Sequence, residues 1–174
     1  MPAYIPLSIA TFSIIGEKQA RSLEAVLAAP IRTVELLAGK SIAALVPGVL
    51  AGWATYLVFV ALASFVYGPA LFGVVTDASW LAGVFLLGPA VGLSSVVAGV
   101  IVSALVNDPR VAQQIGGVVI VPIVALVLVQ ATGTLLVGPA GYVLLAAIVL
   151  IISLEGLRVG VRLFNREAIL TRWR

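Results

Sequence analysis

The placement of the ten Lys and Arg residues constrains this chain more than any other feature: they fall in alternate gaps between long uncharged stretches. Lys18, Arg21, Arg32 and Lys40 precede the first long apolar run, Arg110 stands in the middle, and Arg158, Arg162, Arg166, Arg172 and Arg174 close the chain. The gaps at 68 to 79 and 133 to 141 hold no cation. Cations concentrate on the cytoplasmic side of a bilayer, so this alternation is the charge pattern of a chain that crosses a membrane repeatedly.

Composition agrees. With 62% hydrophobic residues, 10% charged residues and a mean hydropathy of +1.23, the chain has too little polar surface to coat a soluble globule of its size. The uncharged runs are Ser41 to Thr76 (36 residues), Ala78 to Asn107 (30) and Val111 to Leu154 (44). One helical crossing needs about 20 residues, and at roughly 1.5 Å per residue the last run is about twice too long for one. Gly133, Gly138, Pro139 and Gly141 mark where it folds back.

The expected fold is therefore all-α, a single polytopic membrane domain. It has four full crossings over residues 41–66, 80–106, 112–132 and 141–162, a partial membrane helix over 2–16, a cytoplasmic elbow over 17–40 and a tail over 163–174. The positive-inside rule places 17–40, 107–111 and the tail from Arg158 in the cytoplasm, and 68–79 and 133–140 outside. Residues 2–16 must then approach the cytoplasm from within the bilayer, as the second half of a helix or as a segment that lies in the interface or enters part-way.

Several function classes are excluded by residue type. The chain has no Cys and no His, which removes disulfides, thiolate clusters and imidazole metal sites. No Ser is accompanied by a His, no two carboxylates share a crossing, and no glycine-rich phosphate loop with its Lys occurs. No catalytic residue, cofactor site or metal site is expected, and the chain is not expected to be an enzyme. Glu155 is the lone acid inside an expected crossing, too few for a proton-coupled carrier, so energy for transport must come from another subunit. The net charge of +3 is spread along membrane-flanking segments without interleaved aromatics, which fits anionic lipid and not nucleic acid.

Between Arg21 and Ala38 the character changes. Leu23, Val26, Leu27, Ile31, Val34 and Leu37 recur at helical spacing on one side, with Glu24, Arg32 and Glu35 away from that stripe. Pro30 disfavours helix at Ala29 and suits a first turn, so two short helices, over 22–28 and 30–39, are expected to meet at an elbow. Such an elbow can lie on the membrane face or dock on a soluble partner.

Within the crossings, Gly48 with Gly52, Gly88 with Gly92 and Gly156 with Gly160 let helix backbones approach closely, or form a gate or a dimer seam. Pro47, Pro89 and Pro122 should bend their helices. Arg158, three residues beyond Glu155, and Arg162, one turn further, favour an ion-paired ladder at the membrane boundary. Gln113, Gln114 and Gln130 either line a polar pathway or hydrogen-bond between helices.

The stretch GEKQARSLEAVLAAPIRTVELLAGKSIAALVPG, residues 16 to 48, resembles the cytoplasmic loop of permease subunits of the ABC transporter type-2 family. The family's features fall on Gly16, Glu17, Lys18, Arg21, Ser22, Leu23, Glu24, Pro30, Glu35, Leu36, Gly39 and Lys40. NDPRVAQQIGGVVIVP, from Asn107 to Pro122, is similar to the short cytoplasmic turn and following helix of the same permeases, and LFNREAILTRWR is similar to their tails. The resemblance implies a plasma-membrane permease subunit of an ATP-driven exporter. It implies three partners: an ATP-binding subunit, a second permease subunit in a homo- or heterodimer, and membrane lipid. It also implies that residues 2–16 continue a helix begun upstream, since family members carry a first helix before this point. The elbow would couple to the ATPase through Arg21, Leu23, Glu24, Leu27, Pro30, Ile31, Arg32 and Glu35, with Glu24 and Arg32 as its charges and Leu23, Leu27 and Ile31 as anchors. The alternative reading is a non-transporting membrane scaffold or assembly protein, or a truncated permease remnant.

Overall fold

The computed structural model describes residues 3–20, 22, 33–131 and 137–163, and among these there are helices and turns but no strand. In chain order the elements are α1 (Tyr4–Gln19), α2 (Thr33–Tyr67), α3 (Pro69–Val75) and α4 (Ala78–Ala82). A π-helical turn (Gly83–Leu87) leads into α5 (Gly88–Leu105); α6 (Pro109–Gly116), a 3₁₀ turn (Gly117–Ile120), α7 (Val121–Ala131) and α8 (Pro139–Leu163) follow.

Three helical stretches are long and apolar enough to cross a membrane: Val34–Tyr67, Leu71–Leu105 and Pro139–Arg162. Their outward residues, such as Leu57, Leu62 and Phe65 on α2 and Leu144, Ile151 and Ile152 on α8, are exposed apolar side chains of the kind lipid covers. The described part of the segment expected to cross over 112–132 is a contiguous helical path of three pieces, the rest of α6, the 3₁₀ turn and α7, each shorter than one crossing. The cause of the breaks is local: Gly116 and Gly117 are poor helix formers, and Pro122 removes the donor that would bond the Val118 carbonyl.

α2 is one helix of 35 residues with Pro47 inside it, so the described part of the expected second elbow helix, Thr33 onward, runs straight into the crossing. At 1.5 Å per residue it extends roughly 52 Å, well beyond the ~30 Å hydrocarbon core. It ends at Gly68, whose φ of 75° is open to glycine, followed by Pro69 at the start of α3. α3 folds back beside α2, and the Tyr56 hydroxyl donates to the Val75 carbonyl at 2.7 Å. Asp77 then caps α4 by accepting from the Ser79 backbone N–H at 3.0 Å. The π turn precedes Pro89, whose ring would press on the carbonyl of Phe85 four residues earlier; there the Gly88 N–H reaches back five residues to Gly83.

Packing fixes the relative directions. Ala3 clusters with Leu87, Ala90 and Ala146, whereas Ile15 clusters with Val102 and Ala112, so α1 and α5 run parallel. α8 runs parallel to them as well: Ser153 hydrogen-bonds Ser94 at 2.7 Å, and Gly156 lies under Val97. α2 runs the other way, with Lys40 beside Ser13 and Gly48 beside Pro6. α1 stands inside the bundle, its Leu7, Thr11, Ile14 and Ile15 fully enclosed by α2, α5 and α6. The Thr11 hydroxyl is satisfied by the carbonyls of Leu7 and Ser8, and Ser95 and Ser153 bond the carbonyls four residues back. Polar side chains inside an apolar bundle satisfy themselves on helix backbone in this way.

Close approach accounts for three glycines. A Cβ on Gly48 would lie 2.2 Å from Pro6 Cγ, one on Gly116 would lie 2.6 Å from Leu7 Cδ1, and one on Gly156 would lie 2.8 Å from Val97 Cγ1. Gly48→Val is expected to destabilise by about 1–3 kcal/mol through overpacking. Gly73→Ala, with open space around it, is expected to lie within about 0.5 kcal/mol of wild type. Thermal unfolding in detergent compares the two.

Candidate functional site

Since α1, α5 and α8 run parallel and α2 opposes them, Lys18, Lys40, Arg110, Arg158 and Arg162 all come to one end of the bundle. Among the described residues no cation lies at the opposite end, where Gly68–Asp77 and Pro139 are found. The two motifs that carry the family resemblance meet at the cationic end.

Lys18, in the last turn of α1, is 8% exposed and aims its ammonium at the C-terminus of α5. It donates to the Ser103 carbonyl in a very short contact, and to the carbonyls of Ala104 and Val106 at 3.3 Å each. The last four carbonyls of a helix lack intrahelical donors and carry the negative end of its dipole, so a buried cation there satisfies both. Burial pushes the Lys18 ammonium below the ordinary lysine range. Gln19 adds a bond from Nε2 to the Asn107 carbonyl at 3.1 Å.

The turn on the receiving side is set by its own sequence. Val106 is extended and ends α5; Asp108 then caps α6, its carboxylate accepting from the Arg110 backbone N–H at 2.8 Å, with Pro109 at the first helical position. Val106 to Arg110 is thus a helix stop followed by a helix start, and Lys18 and Gln19 fasten it to α1.

The neighbouring residue closes the base of the elbow. Glu17 at the end of α1 pairs with Lys40 at 2.5 Å, and Lys40 also donates to Ser13 Oγ at 3.2 Å. The ion pair thus joins the end of α1 to the early part of α2, the two described segments on either side of the expected elbow. The two side chains are 15% and 29% exposed, so water screens the pair only in part. Glu17→Ala is expected to cost about 1–2 kcal/mol, because it leaves Lys40 half-buried without its partner. Exchanging the two, Glu17→Lys with Lys40→Glu, should recover part of that loss in the same unfolding measurement.

Of the expected site residues, Arg21, Leu23, Glu24, Leu27, Pro30, Ile31 and Arg32 lie outside the described residues. Glu35 is exposed in the first turn of α2, while Leu37 on the expected apolar stripe is buried and Val34 is exposed. Glu155 pairs with Arg158 on an exposed face of α8. Both side chains are more than half exposed, and Glu155→Gln is expected to shift stability by no more than about 0.5 kcal/mol. Gln113 donates to Ser8 Oγ at 2.9 Å and joins α6 to α1, the interhelical use of a glutamine. Gln114 is exposed, and the side chain of Gln130 on α7 lies outside the described residues.

Sequence reasoning named Glu17, Lys18 and Lys40 as motif residues without a structural role, and it passed over Ser13, Gln19 and Asp108. Asp108-Pro109 is a helix-start signal that could have been read. The bond from Lys18 to α5 spans 85 positions and leaves no local trace.

No curated protein sequence and no solved structure matches the chain. The profile of the ABC-2 family transporter protein matches residues 1–155, a span that takes in the elbow, both motifs of the cationic end and most of α8. A match of that extent, over a helical bundle whose signature motifs are fastened to one another, is decisive: the chain belongs to the ABC-2 transporter family and is a permease of that type.

Proposed function

We propose that this permease forms the translocation path of an ATP-driven exporter, paired with a second permease subunit and driven by separate ATP-binding subunits. The observation that carries the reading is the meeting of the elbow's two ends and the Val106 to Arg110 turn at the cationic end of the bundle. In this reading that end faces the cytoplasm, in keeping with the positive-inside rule. The expected crossing over 112–132 runs through the 3₁₀ turn and α7 as one interrupted helical path, and the elbow over 17–40 docks on the ATPase through Arg21, Leu23, Glu24, Leu27, Pro30, Ile31, Arg32 and Glu35.

The mechanism follows from the fastening. A force applied to the elbow reaches α1 through Glu17 and α2 through Lys40 at the same point, and α1 passes it to α5 through Lys18. α2 is continuous from Thr33 to Tyr67, so a tilt at its elbow end moves its far end as a lever. Nucleotide-driven closure of the ATPases would thereby tilt both α2 helices and alter the path between the two permeases. The chain itself supplies no nucleotide chemistry.

The test is a mild-detergent pull-down of the native protein from its own membranes. The expected eluate contains an ATP-binding subunit in fixed proportion to the bait. A bait recovered without one would favour the scaffold reading.

A further inference from the structure

α8 packs on the rest of the chain through one narrow stripe. Ala146, Ser153 and Gly160, spaced by seven, are the buried positions among its described side chains, and Gly156 and Gly160 lie beneath Val97, Val100 and Ile101 of α5. At 3.6 residues per turn the opposite side of the helix carries Leu144, Ile148, Ile151, Glu155, Arg158 and Arg162, all of them exposed. An otherwise lipid-like face thus bears an ion pair, Glu155 with Arg158, inside a helix long and apolar enough to cross a membrane.

The pair sits below the membrane boundary. Arg162, in the last turn of α8, is seven residues beyond Glu155, which places the carboxylate about 10 Å inside the cationic end of the helix at roughly 1.5 Å per residue. Helical side chains lean toward the N-terminus, so Glu155 leans deeper still, and Arg158 turns back from the boundary to bond it. An arginine at a membrane edge ordinarily sends its guanidinium out to water. Ionised groups at this depth face protein or water-filled space and pair with one another. A lipid phosphate would suit Arg158 and Arg162, but Glu155 repels it and lies on the wrong side of them.

We propose that this face of α8 docks on the same face of a second copy of the chain, with Glu155 of each copy meeting Arg158 of the other. The face is complementary to itself in charge. Two copies in one membrane, related by a two-fold axis along its normal, bring α8 against α8 in parallel, each residue level with its own counterpart. Glu155 and Arg158 are opposite in sign and roughly 4.5 Å apart along the axis, a step that an arginine stem spans, so the two pairs close into a ring of alternating charge. Leu144, Ile148 and Ile151, which lipid covers on a single chain, continue the contact toward the middle of the bilayer. The inference rests on the reading of two paired permeases and adds the helix at which they meet. The fold of one chain does not depend on the pair, so its effect is read on association.

The chain has no cysteine, so one introduced thiol reports on its own surroundings. Full-length Ile148→Cys and Ile151→Cys, in phosphatidylcholine vesicles at low protein density, are oxidised with copper phenanthroline and resolved on non-reducing gels. Both are expected to give disulfide-linked dimers, whereas Leu62→Cys, on the outward face of α2 and as exposed as Ile151, is expected to stay monomeric. With Ile151→Cys as the reporter, Glu155→Arg alone or Arg158→Glu alone should each lower the dimer yield at least about tenfold, since each sets like charges against one another across the seam. Reconstituting those two variants together should restore the yield, in dimers that contain one chain of each kind, which a misfolded variant could not do. Dimers as abundant at Leu62, a yield untouched by charge reversal, or failure of the mixture to recover it would overturn the proposal. So would monomers at Ile148 and Ile151, the result of a face covered by lipid. An ATP-binding subunit still recovered with such a protein would leave the exporter reading standing while the α8 interface fell alone.

Discussion

Lys18→Met is expected to destabilise the protein more than any other single side-chain change at the cationic end, by about 2–4 kcal/mol. Methionine keeps the apolar stem that crosses from α1 to α5, so the loss isolates the ammonium. Without it, the carbonyls of Ser103, Ala104 and Val106 lose a donor they share, at a site 8% exposed where water cannot fully replace it. The negative end of the α5 dipole also loses its counter-charge. The effect should be seen as a lower unfolding temperature and as faster hydrogen exchange at the end of α5. Lys18→Arg keeps the charge and should fall between the two. A Lys18→Met protein as stable as wild type would mean that the contact is incidental.

The largest functional effect is expected from reversing the elbow charges together, Glu24→Lys with Arg32→Glu. If those side chains meet complementary charges on the ATP-binding subunit, reversal replaces two attractions with two repulsions. Like-charge juxtapositions at an interface cost several kcal/mol, which corresponds to at least a hundredfold loss of association at about 1.4 kcal/mol per tenfold. On the elbow reading, which puts both charges off the apolar stripe, the stability of the isolated permease should stay within about 0.5 kcal/mol of wild type. Unchanged ATPase association and transport would refute the elbow assignment. The Glu17 and Lys40 variants provide the contrast, because they act on the attachment of the elbow and leave its outer charges in place.

Much of the helical scaffold was legible because lipid imposes length: an uncharged run either crosses or must be broken. The stretches at α2 and α8 follow directly from runs bounded by Lys40 and Arg158 and by the glycines and Pro139. What could not be read arises from tertiary context or from single residues acting on neighbours. The continuity of α2 through Thr33 to Lys40 depends on packing that buries Leu37, and the π turn depends on the steric demand of Pro89. The interruption of the third expected crossing lay in plain view as Gly116, Gly117 and Pro122, but an apolar run masks breaks of this kind because hydropathy is blind to backbone propensity.

The same division holds at the candidate site. The alternation of cations around uncharged runs placed all of them on one side, and in the structure the described ones do share one end. Which carbonyl or carboxylate each would find was beyond reach, since Glu17 meets Lys40 only if α1 and α2 are antiparallel neighbours in the right register. Gln113 shows the reverse limit. Its two readings, pathway or interhelical bond, differ in nothing local, and its partner Ser8 lies on α1, 105 positions away.

The central claim is that the elbow of this ABC-2 permease is its contact with an ATP-binding subunit. The most direct measurement is a photo-crosslinking residue introduced at Leu27, in native membranes, with the crosslinked partner identified by mass spectrometry. The account predicts a crosslink to an ATP-binding subunit that is lost when Glu24 and Arg32 are reversed. Crosslinks confined to lipid or to the permease itself would contradict it.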